Sequence, residues 1–164
     1  MYRSLFSETF SCVASPVQFA AVKAYEYSDE LKHYVADSAT ILSGVSSFIY
    51  ENLVTHKISA TNPQGAFYMM VGFDQFKNQI NSKGIYTSEE LAIYLLENYQ
   101  VALLPGSDFG FQDSEFFFRL AFVDFDGKNV MKAFKGKIDN DFIKKECPNM
   151  FTGTHQLIQF AKDL

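Results

Sequence analysis

The 164-residue chain contains no tryptophan, two cysteines, four prolines and two arginines. Each scarcity excludes something. Cys12 and Cys147 stand too far apart in sequence for a zinc knuckle or a CxxC pair, so no metal or thiol redox centre is expected, and reduced cytoplasmic thiols are the reading. Arginine is confined to Arg3 and Arg119, the lysines are scattered with only Lys144–Lys145 adjacent, and the net charge is −5. A basic footprint for nucleic acid is therefore absent. The longest apolar runs, such as Ala66 to Val71 and Leu120 to Val123, fall far short of the ~20 residues a membrane helix needs. Between Arg3 and Glu8 an acid interrupts any apolar leader before it has formed. The expectation is a soluble, cytoplasmic protein with no membrane and no nucleic-acid partner.

What the chain does have is aromatic mass. Eighteen Phe and nine Tyr, within 48% hydrophobic residues, suffice for one core in a single domain spanning 1–164. Pro16 followed by Val17, Ala20, Ala21, Ala24 and Tyr25 predicts a helix with proline in its first turn, apolar around most of its circumference and so in need of neighbours. Ser28 is placed to cap a second helix, because Leu31, Tyr34, Val35, Ser38, Leu42, Val45, Ile49 and Leu53 recur at helical spacing, with Gly44 a weak point inside it. Residues 1–54 thus read as a helical lead-in, and 55–164 as a small α/β domain.

Asn62-Pro63-Gln64-Gly65 is turn chemistry, and Ala66 to Val71 then reads as a strand. Thr87-Ser88-Glu89-Glu90 is a capping box opening a helix along Leu91, Tyr94 and Leu95. Val101 to Leu104 reads as a strand stopped by Pro105-Gly106, and Phe116 to Val123 as another. Asp126 to Phe134 and His155 to Asp163 read as helices, with Gly136 ending the first. The fold class is α/β with an α+β character: a mixed or antiparallel sheet of about three strands, helices packed on it, and two helices ahead of it.

Arg119 lies within Phe116-Phe117-Phe118-Arg119-Leu120-Ala121-Phe122-Val123, a strongly apolar strand. A guanidinium buried without a partner costs several kcal/mol, so it must reach water or meet a carboxylate. Strand alternation places Phe116, Phe118, Leu120 and Phe122 on the core face, and Phe117, Arg119, Ala121 and Val123 on the other. Ala121 leaves room beside the arginine, as the floor of a pocket would. The competing reading is a structural arginine at a sheet edge, or one paired with Glu115 or Asp124.

Three blocks in order carry a resemblance: Pro63-x-Gly65-Ala66-Phe67-Tyr68, then Val101-Ala102-Leu103-Leu104-Pro105-Gly106-Ser107-x-Phe109-Gly110, then Arg119-Leu120-Ala121-Phe122. With Ser15-Pro16-Val17-Gln18-Phe19-Ala20-Ala21 upstream, they resemble the C-terminal, small-domain part of class I/II aminotransferases, the fold type I pyridoxal 5'-phosphate (PLP) enzymes. The resemblance implies that Arg119 binds the α-carboxylate of an amino acid or 2-oxo acid substrate, and that Gly106 and Phe109 are its neighbours. It also implies a parent enzyme that uses PLP, with a large domain as partner and a homodimer or other self-association. The lysine that holds PLP in the family precedes the matching segment, and none of the twelve lysines of this chain occupies its position. The chain alone is expected to be inactive and to bind no PLP productively. Other fold type I enzymes, lyases and synthases, share the scaffold. A free-standing small domain acting as a binding or assembly module is the alternative from a different class.

Remaining motifs are set aside on chemistry. Asp124-Phe125-Asp126-Gly127 resembles the opening motif of haloacid-dehalogenase-type phosphatases, but too little chain follows for that fold, and Asp126 reads more simply as a helix cap. The same acids lack the closing glutamate of a calcium loop. His33, His56 and His155 stand singly, and Pro105 to Gly110 lacks the lysine of a phosphate loop.

Overall fold

A computed structural model describes residues 12–164 of the chain. Arg3 to Glu8, on which the expectation of no leader rests, lie outside the described residues. Contacts divide the chain into two units, the first ending at Val35 and the second running from Ala36 to Leu164.

In the first unit, α1 (Ser15–Ala24) carries proline in its first turn, as its sequence predicts, and buries none of its side chains. The next helix, α2 (Asp29–Thr55), begins there, with the Leu31 N–H donating to Ser28 Oγ at 3.4 Å and with Asp29 and Glu30 suiting the positive end of the helix dipole. It runs unbroken through Gly44, which the sequence marks as a weak point.

From Ala36 onward α2 buries Ile41, Val45, Phe48, Ile49 and Leu53 in the core of the second unit. Lys57, in the left-handed region at φ 64°, turns the chain into β1 (Ser59–Ala60), followed by β2 (Tyr68–Gly72). A 3-10 turn (Asp74–Phe76) leads to α3 (Lys77–Ser82) and then to α4 (Ser88–Tyr99). The α4 capping box forms as expected: Glu90 N–H donates to Thr87 Oγ1, and the Thr87 N–H donates back to Glu90 Oε2. The Tyr86 N–H also donates to Glu90 Oε2, and the backbone donors of Tyr86 and Thr87 hold the Glu90 carboxyl below its ordinary pKa. Then come β3 (Leu104–Pro105), a 3-10 turn (Gly106–Phe109), β4 (Phe117–Ala121), α5 (Gly127–Ala133), α6 (Asn140–Glu146) and α7 (Pro148–Lys162).

The sheet has four strands in the order β1-β2-β4-β3, every neighbouring pair antiparallel. That resolves the choice between mixed and antiparallel, and adds a fourth strand, the two-residue β1, to the three expected. Val101 to Leu103 do not pair, although Val101 and Leu103 are buried; the strand is confined to Leu104 and Pro105. Ala66 adopts φ 58°, so β2 starts two residues later than the apolar run does. The closing helix begins at Pro148 rather than His155.

One face of β2 and β4, carrying Met69, Val71, Phe118 and Leu120, joins the helices in a single hydrophobic cluster. Phe73 sets its ring against Phe118 and Phe160 at 6.0 and 5.4 Å, and Phe48 stacks on Phe151 at 5.7 Å. The alternation read in the last apolar strand therefore holds, with Phe116, Phe118, Leu120 and Phe122 all buried.

Candidate functional site

The opposite face of β4 presents Phe117, Arg119 and Ala121. Register places Met70 and Leu104 directly across from Arg119, on β2 and β3 respectively. None of these flanking residues is charged, and Leu104 is exposed, so the half-buried guanidinium looks out from an apolar, open sheet face.

Two aromatic rings meet it. The Arg119 Cζ lies 4.4 Å from the centre of the Tyr68 ring and 4.6 Å from that of Phe109. Tyr68 belongs to β2 and Phe109 to the turn after β3, so the rings arrive from elements on opposite sides of β4. Ala121 is the cross-strand partner of Tyr68. The space read beside the arginine is the space over which the Tyr68 ring leans along the sheet.

Among the described residues Arg119 makes no ion pair and its side chain donates no hydrogen bond. Glu115 and Asp124, the acids named as possible partners, form hydrogen bonds elsewhere. Glu115 accepts from the Gln112 N–H at 2.7 Å, closing the loop before β4, and Asp124 accepts from Asn149 Nδ2 at 3.1 Å. An arginine without a polar partner among the described residues can receive a planar anion, because a carboxylate satisfies two of its N–H groups at once.

Phe109 owes its position to two glycines. At Gly106 an added Cβ would stand 2.7 Å from the carbonyl oxygen of Phe117, so only glycine lets the turn lie against β4. Gly110 takes φ 91° and reverses the chain, with its N–H donating to the Ser107 carbonyl at 3.3 Å and Phe111 N–H to that of Gly106 at 3.2 Å. Phe111 then stacks on Phe117 at 4.9 Å. Buried Ser88, in the first turn of α4, ties the assembly down through its N–H to the Asp113 carbonyl at 2.7 Å and its hydroxyl to Ser107 Oγ at 3.4 Å. The structure thus brings together Arg119 and Phe109, and gives Gly106 the role of close approach rather than of a neighbour to the guanidinium. Tyr68 appears in the sequence motif, but its place beside Arg119 follows from strand register, which the sequence alone does not reveal.

Of the acids and histidines set aside earlier, Asp126, His56 and His155 make local contacts with the backbone. Asp126 accepts from the Asn129 N–H at 3.1 Å and caps α5. His56 and His155 each place Nδ1 2.8 Å from the carbonyl four residues earlier, of Asn52 and Phe151. Among the described residues no cluster of His, Cys, Asp or Glu is arranged to hold a metal ion, and no helix is long and apolar enough to cross a membrane.

The described residues show no lysine-and-acid set of the kind that holds PLP. Among the described residues the buried polar side chains are Ser46, Ser88 and Thr154, with no buried lysine to form a Schiff base and no buried acid to pair with a pyridine nitrogen. No lysine lines the clefts beside Ala66 and Phe122, beside Ala102 and Pro105, or beside Gln100 and Asp124.

The family model for aminotransferase class I and II matches residues 5–135. An aspartate aminotransferase of Geobacillus stearothermophilus is 33% identical over 111 residues, which cover 67% of this chain and 27% of that protein. The fold matches the crystal structure of an aspartate aminotransferase from Thermotoga maritima, with TM-score 0.60 and 21% identity over 97% of this chain and 32% of the other. It also matches an aromatic aminotransferase from Pyrococcus horikoshii, with TM-score 0.61 and 17% identity over 90% of this chain and 31% of the other. The chain spans about a third or less of the length of these relatives. Within that span, fold and family match coincide: the chain belongs to the class I and II aminotransferases.

Proposed function

We propose that the chain supplies the substrate-carboxylate anchor of a PLP-dependent aminotransferase, with Arg119 gripping the α-carboxylate of an amino acid or 2-oxo acid. The observation that carries the reading is the unspent guanidinium: half-buried, set among Tyr68, Phe109, Met70 and Leu104, and without an acidic partner among the described residues. In this reading 1–54 is the lead-in and 55–164 the small domain of a longer or assembled enzyme. Cofactor chemistry belongs to a large domain that these residues do not supply, and the chain by itself does not transaminate. Amino-acid-dependent turnover on addition of PLP would overturn that part.

The reading also makes the protein cytoplasmic and self-associating. Its support is α1, whose Val17, Phe19 and Val22 are exposed at 56, 78 and 69%.

The test uses the scarcity of arginine. In a sample of the 164-residue chain labelled with 15N-arginine, only Arg3 and Arg119 give Nε–Hε signals, and Arg119→Lys assigns them. L-aspartate should shift the Arg119 signal and leave Arg3 in place. A single bidentate pair supports binding no tighter than about 1 mM. No response of Arg119 at saturating carboxylate would sink the reading and leave the assembly module as the better account.

A further inference from the structure

We propose that Tyr68 and Phe109 are positioning residues, two aromatic faces that set the plane of the Arg119 guanidinium while leaving its N–H edge open. The purpose assigned to them rests on the carboxylate reading above; the clamp itself rests on geometry alone.

Two parallel hydrogen bonds require the guanidinium edge to lie in the plane of the incoming carboxylate. A long, rotamer-rich side chain loses freedom when it is held in that plane, and whatever holds it beforehand removes the loss from the binding step. An acidic residue behind the arginine would do so at the expense of its donors and its charge. An aromatic face does it differently, since the ring quadrupole attracts the cation and the in-plane N–H groups stay free. Arg119 has the second arrangement, with rings at 4.4 and 4.6 Å, and no ion pair among the described residues.

The fold invests in this arrangement from both sides. On the β2 side, Ala121 across from Tyr68 leaves the sheet surface low enough for the tyrosine ring to lean toward the guanidinium. On the β3 side, Gly106 lets the turn touch the β4 backbone, Gly110 reverses it, and Ser88 anchors Ser107 just ahead of Phe109. Neither ring belongs to the buried core: Tyr68 is 38% and Phe109 41% exposed. Core packing therefore does not account for placing two large aromatics against one arginine.

The experiment follows the Arg119 Nε–Hε signal in the wild-type chain and in Tyr68→Leu, Phe109→Leu, the double variant, Tyr68→Phe and Phe109→Tyr. Ring currents from two faces should move the wild-type signal well away from that of Arg3. Each leucine variant should remove part of the displacement, and the conservative variants should keep it. In a titration with L-aspartate, each leucine variant should raise Kd about threefold and the pair about tenfold, with Tyr68→Phe and Phe109→Tyr near wild type. The backbone amide spectrum shows whether each variant is folded, and the two conservative variants keep the test decisive if a leucine variant is not. Leucine variants that match wild type in both signal and affinity overturn the clamp and leave the carboxylate reading standing. A ring-shifted signal that the leucine variants lose, combined with no response to L-aspartate in any of them, keeps the clamp's geometry but overturns both the carboxylate reading and the positioning role.

Discussion

A side chain at Gly44 would stand 2.5 Å from the Cβ of Ile138, so the glycine inside α2 is the seat on which Ile138 packs. Gly127, in the first turn of α5, has nothing within 4 Å of the same imagined atom. The two positions should answer one substitution with opposite signs. Alanine is the better helix former by about 1 kcal/mol, and Gly127→Ala should realise part of that gain. Gly44→Ala must instead displace the branched carbon of Ile138, and overpacking of this kind costs about 1–3 kcal/mol. Urea midpoints of both variants check the contrast. Combining Gly44→Ala with Ile138→Gly should cost less than the two single losses added together, because glycine at 138 removes the Cβ and both branches that meet the new methyl group.

Gly106 is the glycine on which the site depends. Its imagined Cβ meets a backbone oxygen, that of Phe117, at 2.7 Å, and backbone yields less readily than the end of a side chain. Gly106→Ala should push the 106–109 turn off β4, destabilise the chain by about 1–3 kcal/mol and carry the Phe109 ring away from Arg119. Loss of the Phe109 share of the Arg119 Nε–Hε displacement, with the Tyr68 share retained, is the expected signature. An unchanged signal would show that the turn tolerates the methyl group.

How much of this was legible depends on the range of the interaction. The capping box at Thr87–Glu90 and the Asp126 cap are local, written within four residues, and both form as read. The same kind of signal stands at Asp139, which accepts from the Phe142 N–H at 3.0 Å and caps α6. The seven-residue helix it opens shows too little apolar periodicity to stand out in the sequence. Strand β1 is two residues long and exists only through its pairing with β2, so no period could mark it. Val101 and Leu103 are apolar because they are buried, and with exposed Ala102 between them they show the alternation of a strand without its pairing. The oddity of Arg119 was readable from its apolar neighbours. Its contact with Tyr68 was not, since that depends on which residue of β2 lies across from Ala121.

The two cysteines should differ sharply in reactivity. Cys12 is exposed, whereas Cys147, between α6 and α7, is fully buried. Burial, helped by the charge of neighbouring Glu146, pushes the Cys147 thiol up to about 11, so almost no thiolate exists there at neutral pH. An aromatic disulfide reagent at pH 8 should titrate one thiol in the native chain and two in denaturant. Two fast-reacting thiols in the native state would contradict the packing of the α6–α7 corner.

Tyr99 ends α4 and donates its phenol proton to Asp163 Oδ2 at 2.8 Å, with its ring edge-on to Phe160 at 5.4 Å. Burial first, and the Asp163 carboxylate second, raise its pKa from 10.0 to about 12. A pKa raised by folding means that the protonated phenol is favoured in the folded state. Its contribution is therefore complete below pH 10 and is lost as the pH climbs through 12. The wild-type chain should lose urea resistance across that window, as the phenolate forms beside a carboxylate that has lost its phenol donor and keeps only Gln159 Nε2 among its side-chain donors. Tyr99→Phe should be less stable than wild type at pH 8, because Asp163 loses a partner, and the gap should narrow steadily between pH 10 and 12. Phenolate absorbance supplies an independent check: a wild-type minus Tyr99→Phe difference titration should rise late, near pH 12. A step near 10 instead would mean that α4 and the end of α7 are not joined through this hydrogen bond in solution.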